Sequence, residues 1–170
     1  MKHFLLITML ACMSLSLNAQ TFDQFVERFS KAENAEVVKL DKNTIGMMMS
    51  MSPEAQDSED SEKMKKMKDV MSKLRFVNII SLEESSESDR KAFCEAVENL
   101  TVEGLELLMD TKEDAEHVKI FANIKEDRCR ELVVLSASMD DPVMVHVAGD
   151  FDMNELKQQG GGLLGGIEIP

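Results

Sequence analysis

Residues 118–148 read VKIFANIKEDRCRELVVLSASMDDPVMVHVA, and this stretch decides the fold. Apolar residues recur at alternate positions in its first and last segments, which is the period of a strand with one buried face. The charged run 125–128 and the segment 139–142 interrupt the alternation, as turns do. The stretch therefore predicts three strands of an antiparallel β-meander, and residues 104–109 predict a further strand ahead of them.

Upstream of the meander the apolar period is mainly helical. Phe22, Phe25 and Phe29 lie on one face of a helix that begins at Thr21, and Thr21 with Gln24 fits a capping box. Further helices are predicted at residues 43–51, 61–74 and 87–100, and strands at residues 35–40 and 75–82. The acidic run 53–62 reads as a loop.

This order of elements favours an α+β fold over a doubly wound sheet, because helices and strands mix early and strands then run together. We expect a two-layer sandwich. A mainly antiparallel sheet with a C-terminal β-meander would carry three or four helices on one face, and the other face would be partly solvated. Residues 20–158 form this single domain. Residues 159–170 contain five of the eight glycines and predict a flexible tail.

Residues 1–19 have the pattern of a signal peptide. A basic start at Lys2 precedes the apolar run 4–11, and Ala19 before Gln20 suits signal peptidase. The mature protein is therefore expected to be periplasmic or secreted. An alternative is cleavage before Cys12, which would leave a lipidated cysteine and a membrane-anchored lipoprotein. No later segment is long and apolar enough to span a membrane, so none is expected in the mature chain.

Composition narrows the classes of partner. The 170 residues carry 19 Lys and Arg against 32 Asp and Glu, a formal net charge of −13. An acidic chain repels phosphate backbones, so we expect no nucleic-acid partner. The chain has no Trp and no Tyr, which removes the usual platforms for stacking sugars and bases.

Methionine is the most conspicuous residue type. The densest cluster consists of Met47, Met48, Met49 and Met51. Flexible, polarizable thioethers line binding surfaces that adapt to apolar ligands or peptides, so this cluster is the predicted binding site. Thioethers also bind Cu(I), which makes a copper-handling protein the alternative. A second set at Met64, Met67 and Met71 has the spacing of a buried helix stripe.

Catalytic motifs are missing from the sequence. His117 and His146 belong to no recognised metal or nucleophile motif, and the acids of residues 83–89 fit the start of a helix. We therefore expect no enzyme activity, no catalytic or metal-binding residue and no cofactor. Cys94 and Cys129 could pair as a disulfide in an oxidising compartment, although Cys94 also fits a buried thiol.

Several segments together resemble a family of small exported Bacteroidetes proteins, domain-of-unknown-function family 4252. They are Asn18-Ala19-Gln20, Phe22-x-x-Phe25, Val37-Val38-Lys39-Leu40, Ile45-x-x-Met48, the hairpin at residues 118–137 and Val145-x-Val147-x-Gly149-Asp150-Phe151-Asp152. The resemblance implies a location in the cell envelope. It implies no established catalytic activity, and no functional residue carries over from it.

These observations favour a non-enzymatic binding or interaction protein of the cell envelope. Its partner would be a protein or peptide, recognised through apolar side chains. The alternative function is extracytoplasmic copper handling by the methionine cluster.

Overall fold

Six strands form one antiparallel sheet. A computed structural model describes residues 21–51, 65 and 68–152. The strands are β1 (Glu36–Asp41), β2 (Leu74–Ser81), β3 (Glu106–Glu113), β4 (Glu116–Lys125), β5 (Arg128–Ser138) and β6 (Val143–Asp152). They lie in the order β1-β2-β6-β5-β4-β3, so β1 and β3 are the two edges. The predicted α+β class and the antiparallel C-terminal meander are both confirmed.

The turn between β4 and β5 explains why the meander is so regular. Lys125 pairs with Arg128, and only Glu126 and Asp127 lie between the strands. Both of these residues have positive φ, 53° and 60°. Two central residues in this conformation make a turn whose twist matches the twist of the strands that it joins. The charged run that the sequence marks as a turn is therefore a tight hairpin.

Three helices have defined bounds, and two of them begin after an N-cap residue. They are α1 (Phe22–Phe29), α2 (Lys42–Met51) and α3 (Glu87–Glu98). The Thr21 hydroxyl accepts a hydrogen bond from the Gln24 amide, and the Gln24 side chain accepts one from the Thr21 amide. The Ser86 hydroxyl likewise accepts from the Asp89 amide at the start of α3. Residues 68–73 are also helical and lead into β2.

Helices cover both faces of the sheet, so the expectation of helices on one face is wrong. Phe25 and Phe29 of α1 and Phe93 of α3 pack in one cluster with Val133 of β5. Ile45 of α2 packs in a second cluster with residues of the opposite sheet face, together with Val70 and Val134.

The central strand shows the physical reason. Residues 132–135 read LVVL, and all four are buried. Consecutive strand residues point to opposite faces, so a continuous apolar run requires cover on both.

Several predicted features lie outside the described residues. They are the signal peptide 1–19 with Cys12, the acidic run 53–62, most of the helix 61–74 and the tail 159–170. Met71 is described, and it packs against the second cluster as a core stripe requires. Within the described part of the chain, no helix combines the length and the apolarity needed to cross a membrane.

Candidate functional site

Three of the four clustered methionines are exposed on one side of α2. Met47, Met48 and Met51 expose 65%, 47% and 77% of their surface. Ile45 is buried and Met49 is partly buried against the sheet. This division follows the helical period, because residues three and four positions apart share a face. Met47, Met48 and Met51 are called the methionine face below, and Met49 belongs to the core side.

Strand β1 lies beside α2 and is an open edge of the sheet. It pairs with β2 on one side in an unbroken register, from Glu36 opposite Ser81 to Asp41 opposite Phe76. Along its other side, none of the described loops or turns makes a backbone hydrogen bond to residues 36–40, and the Asp41 side chain accepts one from the Thr44 amide of α2. Val38 is 44% exposed on this strand. An edge of this kind presents unpaired backbone groups and apolar surface together.

A groove of about 470 Å³ lies between α1 and the sheet at the β1 edge. It is called the α1 groove below. Its wall and floor include Phe22, Val26, Lys39, Phe76, Asn78 and His146. The groove is on the sheet face that carries α1, whereas the methionine face belongs to α2 on the opposite face. Thr44, in the first turn of α2, also lines it.

Two polar side chains that line the groove, Asp41 and Asn78, differ in their hydrogen bonding. The Asp41 carboxylate accepts a hydrogen bond of 2.7 Å from the Thr44 amide at the start of α2. This hydrogen bond lowers the pKa of Asp41, so the carboxylate stays ionised. The Asn78 side-chain oxygen is buried, and no described residue donates a hydrogen bond to it. Buried polar atoms without a partner are rare, and each calls for an explanation.

His146 forms the inner end of the groove. Its Nε2 lies 2.8 Å from Glu131 Oε1. The rings of Phe22 and Phe76 meet its imidazole edge to face, with centroids 5.1 Å and 4.8 Å away. The pair with Glu131 depends on the register of β5 and β6, which place His146 opposite Val133. The alternating pattern of β6 puts His146 on the face opposite Val145, but no sequence signal identifies these partners.

The other histidine belongs to a structural network. His117 Nε2 lies 2.6 Å from Asp110 Oδ1, and this contact is the main cause of the lowered pKa of Asp110. Lys119 is buried on the same sheet face and donates to the backbone oxygen of Glu98 at 2.7 Å. The network therefore joins β3 and β4 to the end of α3.

Cys94 and Cys129 are free thiols and do not form the disulfide that the sequence allows. Cys94 packs against the cluster under α1 and α3, whereas Cys129 belongs to the cluster on the opposite sheet face. The sheet itself separates them. Burial raises the pKa of both thiols. Each thiol donates to a backbone oxygen, that of Ser138 and that of Glu131 respectively.

No arrangement among the described residues points to catalysis. Protonated, hydrogen-bonded thiols lack the thiolate that a cysteine nucleophile needs. Both described histidines are held by carboxylates in pairs that join strands. Asp89, from the acidic segment at the start of α3, accepts a hydrogen bond from the Ser86 hydroxyl. The described residues include no group of three or more His, Cys, Asp or Glu side chains placed to hold a metal ion.

Comparison with protein families identifies the chain. The model of the domain of unknown function DUF4252 matches residues 29–159. The chain belongs to this family. No curated protein and no solved structure matches it. The matched segment of this DUF4252 chain contains the methionine face, the β1 edge and the floor of the α1 groove. Phe22 and Val26, which form the groove wall, precede it.

Proposed function

We propose that the protein is a non-enzymatic binding protein of the cell envelope that docks a partner protein or peptide through its methionine face. The observation that carries this proposal is the exposure of Met47, Met48 and Met51 on one side of α2. A helix in a globular domain normally turns its apolar side chains toward the core. Here α2 turns only Ile45 and Met49 inward and presents three thioethers outward.

Methionine suits such a surface for a physical reason. Its side chain has three rotatable bonds and a polarizable sulfur, so it adapts its shape to apolar groups of different outline. The location in the envelope is supported by the signal pattern of residues 1–19. The chain belongs to a family without an assigned activity, and its described residues hold no reactive constellation, both of which favour binding over catalysis.

Site-specific photocrosslinking in the native host tests this proposal. A photoreactive amino acid at position 48 should form a discrete adduct with one envelope protein or peptide. The matched control position is 139, because Met139 is an exposed methionine in the turn between β5 and β6. The reagent at position 139 should not capture the same partner. Equal adducts from both positions, or no adduct from position 48, would refute docking through the methionine face.

A second function, Cu(I) handling, uses the same three side chains. Met47 and Met51 are four residues apart and Met48 and Met51 three apart, spacings that bring side chains together on a helix. Soft thioethers are suitable Cu(I) ligands. A copper protein should withdraw close to one Cu(I) per chain from a weak chelator. Replacement of Met47, Met48 and Met51 with Leu should abolish the withdrawal, and no competition by the original protein would exclude this function.

A further inference from the structure

We infer that β1 is a docking edge for an extended, cationic segment of another protein. The segment would add to the sheet beside β1 as an additional strand. This inference rests on the proposed binding function and specifies how the partner is held. Side chains of an added strand point alternately to the two sheet faces. One set would therefore point to the face that carries α2, and the other to the face that carries the α1 groove.

The two edges of the sheet differ in the way that this inference requires. The register of β1 against β2 has no bulge over all six residues. Edge strand β3, in contrast, has an irregularity between Leu107 and Met109. It also carries Asp110 and Lys112, whose side chains contact His117 and Glu98. A bulge is one of the usual devices that protect an edge from pairing, and the register of β1 contains none.

The α1 groove offers a recognition element for the added strand. Asn78 lines the groove, and its buried side-chain oxygen has no hydrogen-bond donor among the described residues. A side chain that enters the groove with an N–H or ammonium group would supply that donor. The walls contributed by Phe22, Val26 and Phe76 would contact the aliphatic part of the same side chain. Lysine and arginine combine these two chemistries.

Charge favours a cationic partner over a second copy. Three acidic side chains lie in this region, because Glu36 and Asp41 are at the two ends of β1 and Asp23 lines the groove. The basic side chains there are Lys39 and Lys42. The whole chain has a formal net charge of −13, so two copies repel each other and a basic segment is attracted.

The test uses the full chain and a short capped peptide of alternating residues, LKLKLKL. Binding is measured by calorimetric titration, and hydrogen exchange of the β1 amides reports on strand addition. Val38→Lys adds a charge to the docking edge. Leu107→Lys is the matched control, because Leu107 is 49% exposed on the opposite edge strand. We expect Val38→Lys to weaken binding by about tenfold or more and Leu107→Lys to change it by less than about twofold.

Two peptide controls separate strand addition from general attraction. An N-methylated LKLKLKL cannot donate backbone hydrogen bonds, and the isomer LKKLLKL keeps the charge but loses the alternation. Both should bind at least about tenfold more weakly than the parent peptide, and only the parent should slow exchange of the β1 amides.

Four results would overturn the inference. They are no binding of the parent peptide, equal binding of either control peptide, equal effects of the two lysine variants, and a dimer in sedimentation that Val38→Lys dissociates. Circular dichroism checks that both variants are folded. The proposed binding function is judged separately, because it depends on the adduct from position 48. An adduct from position 48 without peptide binding would leave docking in place and remove the β1 mode.

Discussion

Replacing Phe93 with Ala is expected to remove the contact that holds α1 and α3 together. Phe93 belongs to α3 and is fully buried. Its ring centroid lies 5.1 Å from that of Phe25 and 5.1 Å from that of Phe29. Both neighbours belong to α1, an eight-residue helix. An isolated helix of this length is not stable, so α1 depends on this packing.

The expected cost follows from the size of the void. Truncation of a buried Phe to Ala typically lowers the free energy of unfolding by about 3–5 kcal/mol, and the loss grows with the cavity that remains. We expect about 4 kcal/mol, because the sheet on one side of Phe93 cannot move inward. Phe93→Leu keeps most of the volume and should cost about 1–2 kcal/mol. Domains are usually stable by only about 5–15 kcal/mol, so Phe93→Ala removes a large share.

Urea unfolding followed by far-ultraviolet circular dichroism measures these losses. The chain has no Trp and no Tyr, so the usual intrinsic fluorescence signal is missing. Leu107→Ala is the control, because Leu107 is 49% exposed on an edge strand and should cost less than about 1 kcal/mol. A Phe93→Ala variant within about 1 kcal/mol of the original protein would show that the aromatic cluster is not the core. Equal losses for Phe93→Ala and Phe93→Leu would contradict the cavity argument.

Three further changes test other parts of the fold. Gly149→Ala would place a Cβ atom 2.7 Å from the backbone oxygen of Lys73. The free energy of unfolding in urea should therefore fall by about 1–3 kcal/mol, and an unchanged midpoint would contradict the close approach. Thr21→Ala removes the hydroxyl that accepts a hydrogen bond from the Gln24 amide, while the backbone amide that donates to the Gln24 side chain remains. The change should cost about 1 kcal/mol, with faster hydrogen exchange in α1, whereas unchanged exchange would count against the cap. The hydrogen bond to His117 is the main cause of the lowered pKa of Asp110. The ionised carboxylate therefore stabilises the fold at pH values above its unfolded pKa of about 4. This contribution is lost as the pH falls through the folded pKa. Asp110→Asn should therefore make stability less dependent on pH below about 5, measured as urea midpoints over a pH series; identical pH profiles would contradict the assignment.

Local patterns were sufficient to predict most elements. The turn at residues 125–128, the strands on either side of it and the cap at Thr21 all depend on residues close together in the chain. The methionine cluster could also be placed on a helix. Its division between an exposed and a buried side was not predicted, although the helical period separates Met49 from its neighbours.

The sequence predicts the two faces of the sheet less well, because alternating segments flank the apolar run 132–135. Four consecutive apolar residues at 132–135 indicate a strand buried on both faces, and the structure buries all four. The alternating segments before and after this run gave the opposite impression of one solvated face. A continuous apolar run in the central strand is therefore the stronger evidence for cover on both sides.

The sequence by itself determined the α+β class, the meander, the helix starts and the acidic, methionine-rich character of this chain. Those properties arise from periodicity, turn chemistry and composition, which act over a few residues. Only the tertiary structure decided that β1 is an edge of the six described strands, that no described residue donates to the Asn78 side-chain oxygen and that His146 meets Glu131 and Phe22. These contacts depend on strand order and register, which are set by the burial of apolar groups far apart in the chain.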